Sequence, residues 1–196
     1  MKLSQAGKLY LKEYYILNEA HKDVVDFLNQ IQRTIYDNII ERKKEIPITD
    51  GFEWKIWMSK ASPGYLELWP EPNKDYSMFQ KGKNEINIAC RDVRHDTNLD
   101  TTASVSLTIR CTNAFKRKIN NFEESIVSSA TAAASKYEVK LDFRQRYNFR
   151  TQVSINLEDA LESAKSITDA IINCCMAMND FIGVLIKQGE IDSAKG

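Results

Sequence analysis

The chain has 196 residues, of which 43% are hydrophobic and 28% charged. That composition belongs to a folded globular domain and excludes a disordered chain. Lys+Arg and Asp+Glu each number 27, and a net charge of zero argues against a general nucleic-acid binder unless the cations are gathered on one face.

The length fits one domain, large enough to bury roughly 70% of its unfolded surface without staples. Residues 1–46 read as one long helix, running from about Ser4 to Lys44. Leu17, Val24, Leu28, Ile31, Ile35 and Ile39 recur at steps of three, four and seven and form one stripe. Glu13, Glu19, Lys22, Asp26, Gln30, Arg33 and Asp37 lie opposite. Such a helix would span ~60 Å, more than a domain of this size needs, so part of it is expected to project or to pair with another helix. Pro47 and Asp50-Gly51 end it.

Residues 52–156 read as a sheet with an inserted helix. Phe52, Trp54, Ile56 and Met58 alternate with polar neighbours and, after Ser62-Pro63-Gly64, the run from Tyr65 to Pro70 completes a hairpin. Ile86, Ile88 and Cys90 mark a third strand, and Ala103, Val105, Leu107, Ile109 and Cys111 a fourth. Thr112 or Asn113 can cap a helix with a stripe of Phe115, Ile119, Phe122 and Ile126. The small-residue run Ser128–Ser135 can continue that helix. From Val139 to Ile155 the odd positions are mostly apolar and the even ones polar, the pattern of a long or bent strand with one wet face.

Residues 157–189 read as a last helix, capped by Asn156, with a stripe from Leu157 and Leu161 through Ala164, Ile167, Ile171, Cys174, Met178 and Phe181 to Leu185. The expected fold class is α+β: an antiparallel sheet of about five strands, with long N- and C-terminal helices packed on one face. The heptad-like stripes allow those helices to pair with each other or to mediate a dimer.

The residues rule out several chemistries. The seven glycines are scattered and form no phosphate-cradling loop. Cys90, Cys111, Cys174 and Cys175 form no CxxC pair, and there are only two histidines, so a Cys/His zinc site is not expected. The cysteines read as buried free thiols of a reducing cytoplasm. His21 sits within the first helix. His95 lies among Asp92, Asp96 and Asp100, where a metal-dependent enzyme site is a minor alternative. Glu53-Trp54-Lys55 has the Glu-x-Lys spacing of restriction-type nucleases, but no preceding strand offers the aspartate. No catalytic residue, cofactor or metal ligand is assigned.

Residues 1–23 contain no uninterrupted apolar run of a secretory signal. The segment from Ile167 to Ile186 is interrupted by Thr168, Asp169, Asn173, Asn179 and Asp180, so it reads as a buried helix rather than a membrane span.

The candidate binding surface is the wet face of the sheet: Trp57, Tyr65, Trp69, Arg91, Arg110, Arg144, Arg146 and Arg150, with Lys55 and Lys140 beside them and Glu53, Glu67, Glu85 and Asp142 available to pair with the cations. Tryptophan, tyrosine and arginine are enriched at protein interfaces, and the same mixture can stack bases and hold phosphates. It also occurs on plain sheet surfaces as cross-strand pairs. The expected function is a non-enzymatic, cytoplasmic binding or assembly protein with a protein partner or self-association and no membrane; the alternative is a single-stranded nucleic-acid or polyanion binder.

Overall fold

The computed structural model describes residues 3–50, 52–58, 65–72, 85–87, 102–109, 122–142 and 147–193. They form four helices and six strands: α1 (Gln5–Lys12), α2 (Tyr14–Arg42), β1 (Phe52–Met58), β2 (Tyr65–Pro72), β3 (Glu85–Asn87), β4 (Thr102–Ile109), α3 (Phe122–Lys136), β5 (Lys140–Asp142), β6 (Tyr147–Ser154) and α4 (Ala160–Ser193). The class is mixed helix and strand with antiparallel pairing throughout the described strands.

Among the described residues, the strands do not pair as one sheet of about five. They form two three-stranded sheets, in the orders β1-β2-β3 and β4-β6-β5. The extra strand comes from the long alternation of residues 139–155, which folds back on itself. Leu141 pairs with Phe149 and Lys140 with Arg150. Both arms of this hairpin keep odd positions on the inner face, so a period-2 pattern runs through the reversal without a break. β3 lies close to β4 and brings the two sheets side by side.

The expected long first helix is two helices in sequence. Ser4 starts α1 by accepting a hydrogen bond from the Gly7 N–H at 3.1 Å. Glu13 then leaves the helical region, with φ −97° and ψ 6°, which divides the segment. The ladder still passes the division, since the Glu13 N–H donates to the Leu9 carbonyl and the Leu17 N–H to that of Glu13.

α4 is the centre of the molecule. It packs on α2, α3, β4 and β6. Its inward positions Ala164, Ile167, Ile171, Cys174, Met178, Phe181 and Leu185 are fully buried, as the heptad steps require. The stripe fails at its start, where Leu157 and Leu161 are 59% and 58% exposed. The cap is Asp159 rather than Asn156: one Asp159 carboxylate oxygen accepts the N–H groups of Leu161 and Glu162. Leu157 therefore lies in a turn, and buried Ala160, seven residues before Ile167, takes the place on the stripe. Thr168, fully buried in this helix, donates its hydroxyl back to the Ala164 carbonyl at 2.7 Å.

α3 carries the small-residue run. Ala130, Ala133 and Ala134 are buried, and their size lets the helix approach α4 closely. It ends in a Schellman motif: the Val139 N–H reaches the Ala134 carbonyl and the Glu138 N–H that of Ser135. Glu138, at φ 57°, occupies the left-handed position that glycine normally fills. Glu138→Gly is therefore expected to stabilise the fold by about 0.5–1 kcal/mol, read as a rise of roughly 1–4 °C in melting temperature. No change or a fall would mean that the Glu138 side chain contributes more than its backbone conformation costs.

Candidate functional site

The two sheet registers decide which residues share the outer face. In the first sheet, Phe52 and Trp54 of β1 and Leu68 of β2 are buried. The Trp54 indole N–H donates to the Pro47 carbonyl at 3.1 Å. The alternate positions point outward, with Glu53 and Trp57 exposed and Lys55 half-buried. Lys55 pairs in register with Trp69, Trp57 with Glu67, and Tyr65 with Asn87. The three aromatic candidates thus hold register positions on one face of one sheet. The cation next to them is already engaged: Lys55 Nζ lies 2.8 Å from a Glu53 oxygen, and the other oxygen of that carboxylate is 3.5 Å from Lys43. Glu53 is held below its ordinary carboxylate pKa chiefly by its bond with Lys55, and Lys55 is correspondingly raised. With both side chains substantially exposed, this pair contributes little stability.

In the second sheet, Ala103, Val105 and Leu107 of β4 and Phe149 of β6 are fully buried. The outward positions are polar. Arg150 pairs with Ser106 on one side and Lys140 on the other, and its guanidinium sits 4.0 Å from Asp142. Ser106 donates its hydroxyl to Asn148 on the neighbouring strand. Lys140, Arg150, Gln152, Ser104, Thr151 and Glu138 line a shallow depression of about 360 Å³. It mixes both signs of charge at an open surface.

Of the eight sequence candidates, Trp57, Tyr65 and Trp69 therefore belong to one sheet and Arg150 to the other. Arg91, Arg110, Arg144 and Arg146 lie outside the described residues, as do His95 and the aspartates around it. Among the described residues, no arginine candidate stands in the sheet of the aromatic trio, and no group of three or more His, Cys, Asp or Glu could hold a metal ion. The two described thiols, Cys174 and Cys175, offer no nucleophile either. Burial pushes Cys174 up to about 12 and Cys175 well above its ordinary value, so both stay protonated at neutral pH.

A second surface emerges on the helices. The buried stripe of α2 runs through Leu28, Ile31, Ile35 and Ile39. Traced backwards in alternating steps of three and four, it continues through Val24, His21, Leu17, Tyr14, Tyr10, Gly7 and Leu3. Among the described residues, nothing covers it here. Every residue from 3 to 24 is exposed except half-buried Gly7 and Glu13. Leu17 and Val24, assigned by their spacing to a buried face, are 49% and 46% exposed. The rings of Tyr10, Tyr14 and Tyr15 meet only edge to edge, at 5.9 and 6.1 Å. Sequence inspection missed Leu3, Tyr10 and Tyr14 as surface candidates, although the heptad phase holds throughout. Gly7, His21 and the tyrosine hydroxyls interrupt an otherwise aliphatic stripe and hide its continuity.

The other ends of the long helices are tied down. Arg42 lies 2.6 Å from Asp169 and 3.0 Å from Glu45, and its pKa is raised first by the hydrogen bond with Asp169. Lys136 meets Asp180 at 2.8 Å. α4 also contains the described helix that is long and apolar enough to cross a bilayer (Ala160–Lys187), but 61% of its most apolar window is buried within the protein. Compared with protein-family models, curated proteins and solved structures, the chain matches none.

Proposed function

We propose that the chain is a non-enzymatic binding or assembly protein of the cytoplasm that works by protein–protein recognition. The observation that carries this reading is the arm formed by residues 3–24. Its apolar stripe is in phase with the stripe that α2 buries in its own domain, yet it faces solvent. Exposed apolar surface of that extent marks an interaction site. An amphipathic helix laid into a complementary apolar surface is a standard mode of recognition. The long helices lie on the inner side of the strands, and the domain then serves as the base from which the arm extends.

The test is affinity capture from an extract of the source cells, with the intact chain and with the triple variant Tyr10→Glu, Tyr14→Glu, Leu17→Glu. All three side chains are exposed, so the variant should keep its fold. Proteins held by the intact chain and lost by the variant are the expected result. Identical captures would contradict the reading.

A second reading rests on the outer sheet faces, where Lys55 pairs with Trp69, and Lys140 with Arg150. It makes the chain a binder of single-stranded nucleic acid or another polyanion through stacking and phosphate contacts. Binding to a labelled oligonucleotide that falls steeply with salt, and that Arg150→Ala weakens, would favour it. No binding at low salt would remove it.

A further inference from the structure

Two local rules are broken around the depression on the second sheet. Lys140 and Arg150 stand directly opposite one another on β5 and β6, and both are exposed. Like charges in that position destabilise a strand pair. Among the described residues, the one carboxylate in ion-pair range of either is Asp142, 4.0 Å from the Arg150 guanidinium, which is too long for a hydrogen bond. The other ion pairs of the described residues span 2.6–3.5 Å. Glu138 breaks the second rule. It keeps a side chain at φ 57°, where glycine would cost less. All three residues line the same depression, together with Ser104 and Gln152, which pair in register on β4 and β6. Unfavourable choices that converge on one concave spot mark a place kept for a ligand.

The charges select the ligand. The two cations meet across the strands. Glu138 lies two residues before Lys140, just past the carboxyl end of α3. That end is the negative pole of the helix and adds to the Glu138 carboxylate. One side of the depression therefore suits an anion and the other a cation. A phosphomonoester carries about −1.5 to −2 at neutral pH, enough to answer both Lys140 and Arg150. The Arg150 fork can grip two of its oxygens, and the Ser104 hydroxyl and Gln152 amide offer further donors. An ammonium group on the same molecule answers Glu138. A zwitterion built on a carboxylate would leave one of the two cations unanswered.

We propose that this depression binds a small soluble phosphomonoester that also carries an ammonium group, with the phosphate between Lys140 and Arg150 and the ammonium on Glu138. Its volume of about 360 Å³ falls at the lower end of small-molecule sites, as a ligand of that size requires. The site is separate from the arm of the recognition reading and goes beyond it. It also differs from a polyanion surface, where Glu138 would only repel.

The experiment is a titration of the intact, isotope-labelled chain with O-phosphoethanolamine, followed by the amide resonances of Ser104, Glu138, Lys140, Arg150 and Gln152, with inorganic phosphate as the comparison. The expected result is saturable binding, at least about five-fold tighter than that of inorganic phosphate. Lys140→Ala and Arg150→Ala should each weaken it at least about five-fold, and because both side chains are exposed the rest of the spectrum should stay unchanged. Glu138→Gln decides between ligand classes. It should weaken phosphoethanolamine and leave inorganic phosphate as it was, whereas an oligonucleotide held by the same cations would bind this variant more tightly. Glu138→Gly should lose the same preference while gaining stability. No saturable shift up to about 10 mM would overturn the proposal. So would equal affinity for inorganic phosphate, which would make the depression an adventitious anion site only, or tighter phosphoethanolamine binding in Glu138→Gln. Binding to vesicles of phosphatidylethanolamine with none of the soluble compound would assign the chemistry to a lipid headgroup and overturn the soluble ligand.

Discussion

Phe181→Ala is expected to lower the stability of the folded chain by about 3–5 kcal/mol. Phe181 is fully buried in α4, which packs on β4 and β6 of the second sheet. Its ring centre lies 4.8 Å from that of Tyr147 and 5.7 Å from that of Phe149. Phe149 in turn pairs with Leu107 on one side and Leu141 on the other, so the ring of Phe181 reaches every strand of that sheet through one partner. Removing it leaves a cavity that a helix on one wall and a hydrogen-bonded sheet on the other cannot readily close. A domain holds only about 5–15 kcal/mol in total, so the variant should unfold at a much lower urea concentration. Phe181→Leu, which keeps most of the volume, should cost less than half as much. A loss below about 1 kcal/mol for the alanine variant would show that the ring is not packed as described.

Asn179→Ala should cost about 1–3 kcal/mol, the penalty for stranding a partly buried donor. The Asn179 side-chain oxygen accepts the Thr49 backbone N–H at 2.6 Å and the Thr49 hydroxyl at 2.9 Å. These bonds fix the connection between α2 and β1 to the central helix, and Pro47 in the same connection accepts the Trp54 indole. The effect should therefore extend beyond the local bonds, and Trp54 fluorescence should report a change in its environment before global unfolding. Asn179→Asp keeps the acceptor oxygen and should recover part of the loss near neutral pH. An alanine variant as stable as the parent, with unchanged fluorescence, would mean that the connection is held by packing alone.

Much of the core was legible in the sequence. The stripes of α2 and α4 were readable from Leu28 and from Ala164 onward, because helical periodicity reports which face is buried. It does not report what buries it. Leu17 and Val24 have the same phase as Leu28 and Ile31, and only the positions of α4 and the sheets separate the bare half of the stripe from the covered half. Leu161 misled for a different reason: the Asp159 cap starts the helix at Ala160 and puts that small residue on the stripe. The reversal between β5 and β6 was invisible because both strands keep the same parity. Alternation on β1, β2 and β4 did identify the inner faces, with Trp54, Leu68 and Leu107 buried. The candidate binding face was only half legible. Alternation gave Trp57 and Arg150 as outward positions, and both are exposed, but which strands are neighbours depends on long-range pairing, and among the described residues that pairing puts Arg150 in a different sheet from Trp57, Tyr65 and Trp69.

Residues 3–24 form a helical arm with an exposed apolar stripe, and the proposed recognition role needs a partner to cover it. An uncovered helix of that length is marginal in water, so its persistence reports its partner. Amide hydrogen exchange, followed residue by residue from Gln5 to Val24 in buffer and after addition of cell extract, measures that cover. The expected result is exchange slowed by the extract, most at Tyr10, Tyr14 and Leu17, and not slowed in Leu17→Glu. Exchange equally fast along the whole arm with and without the extract would overturn that role.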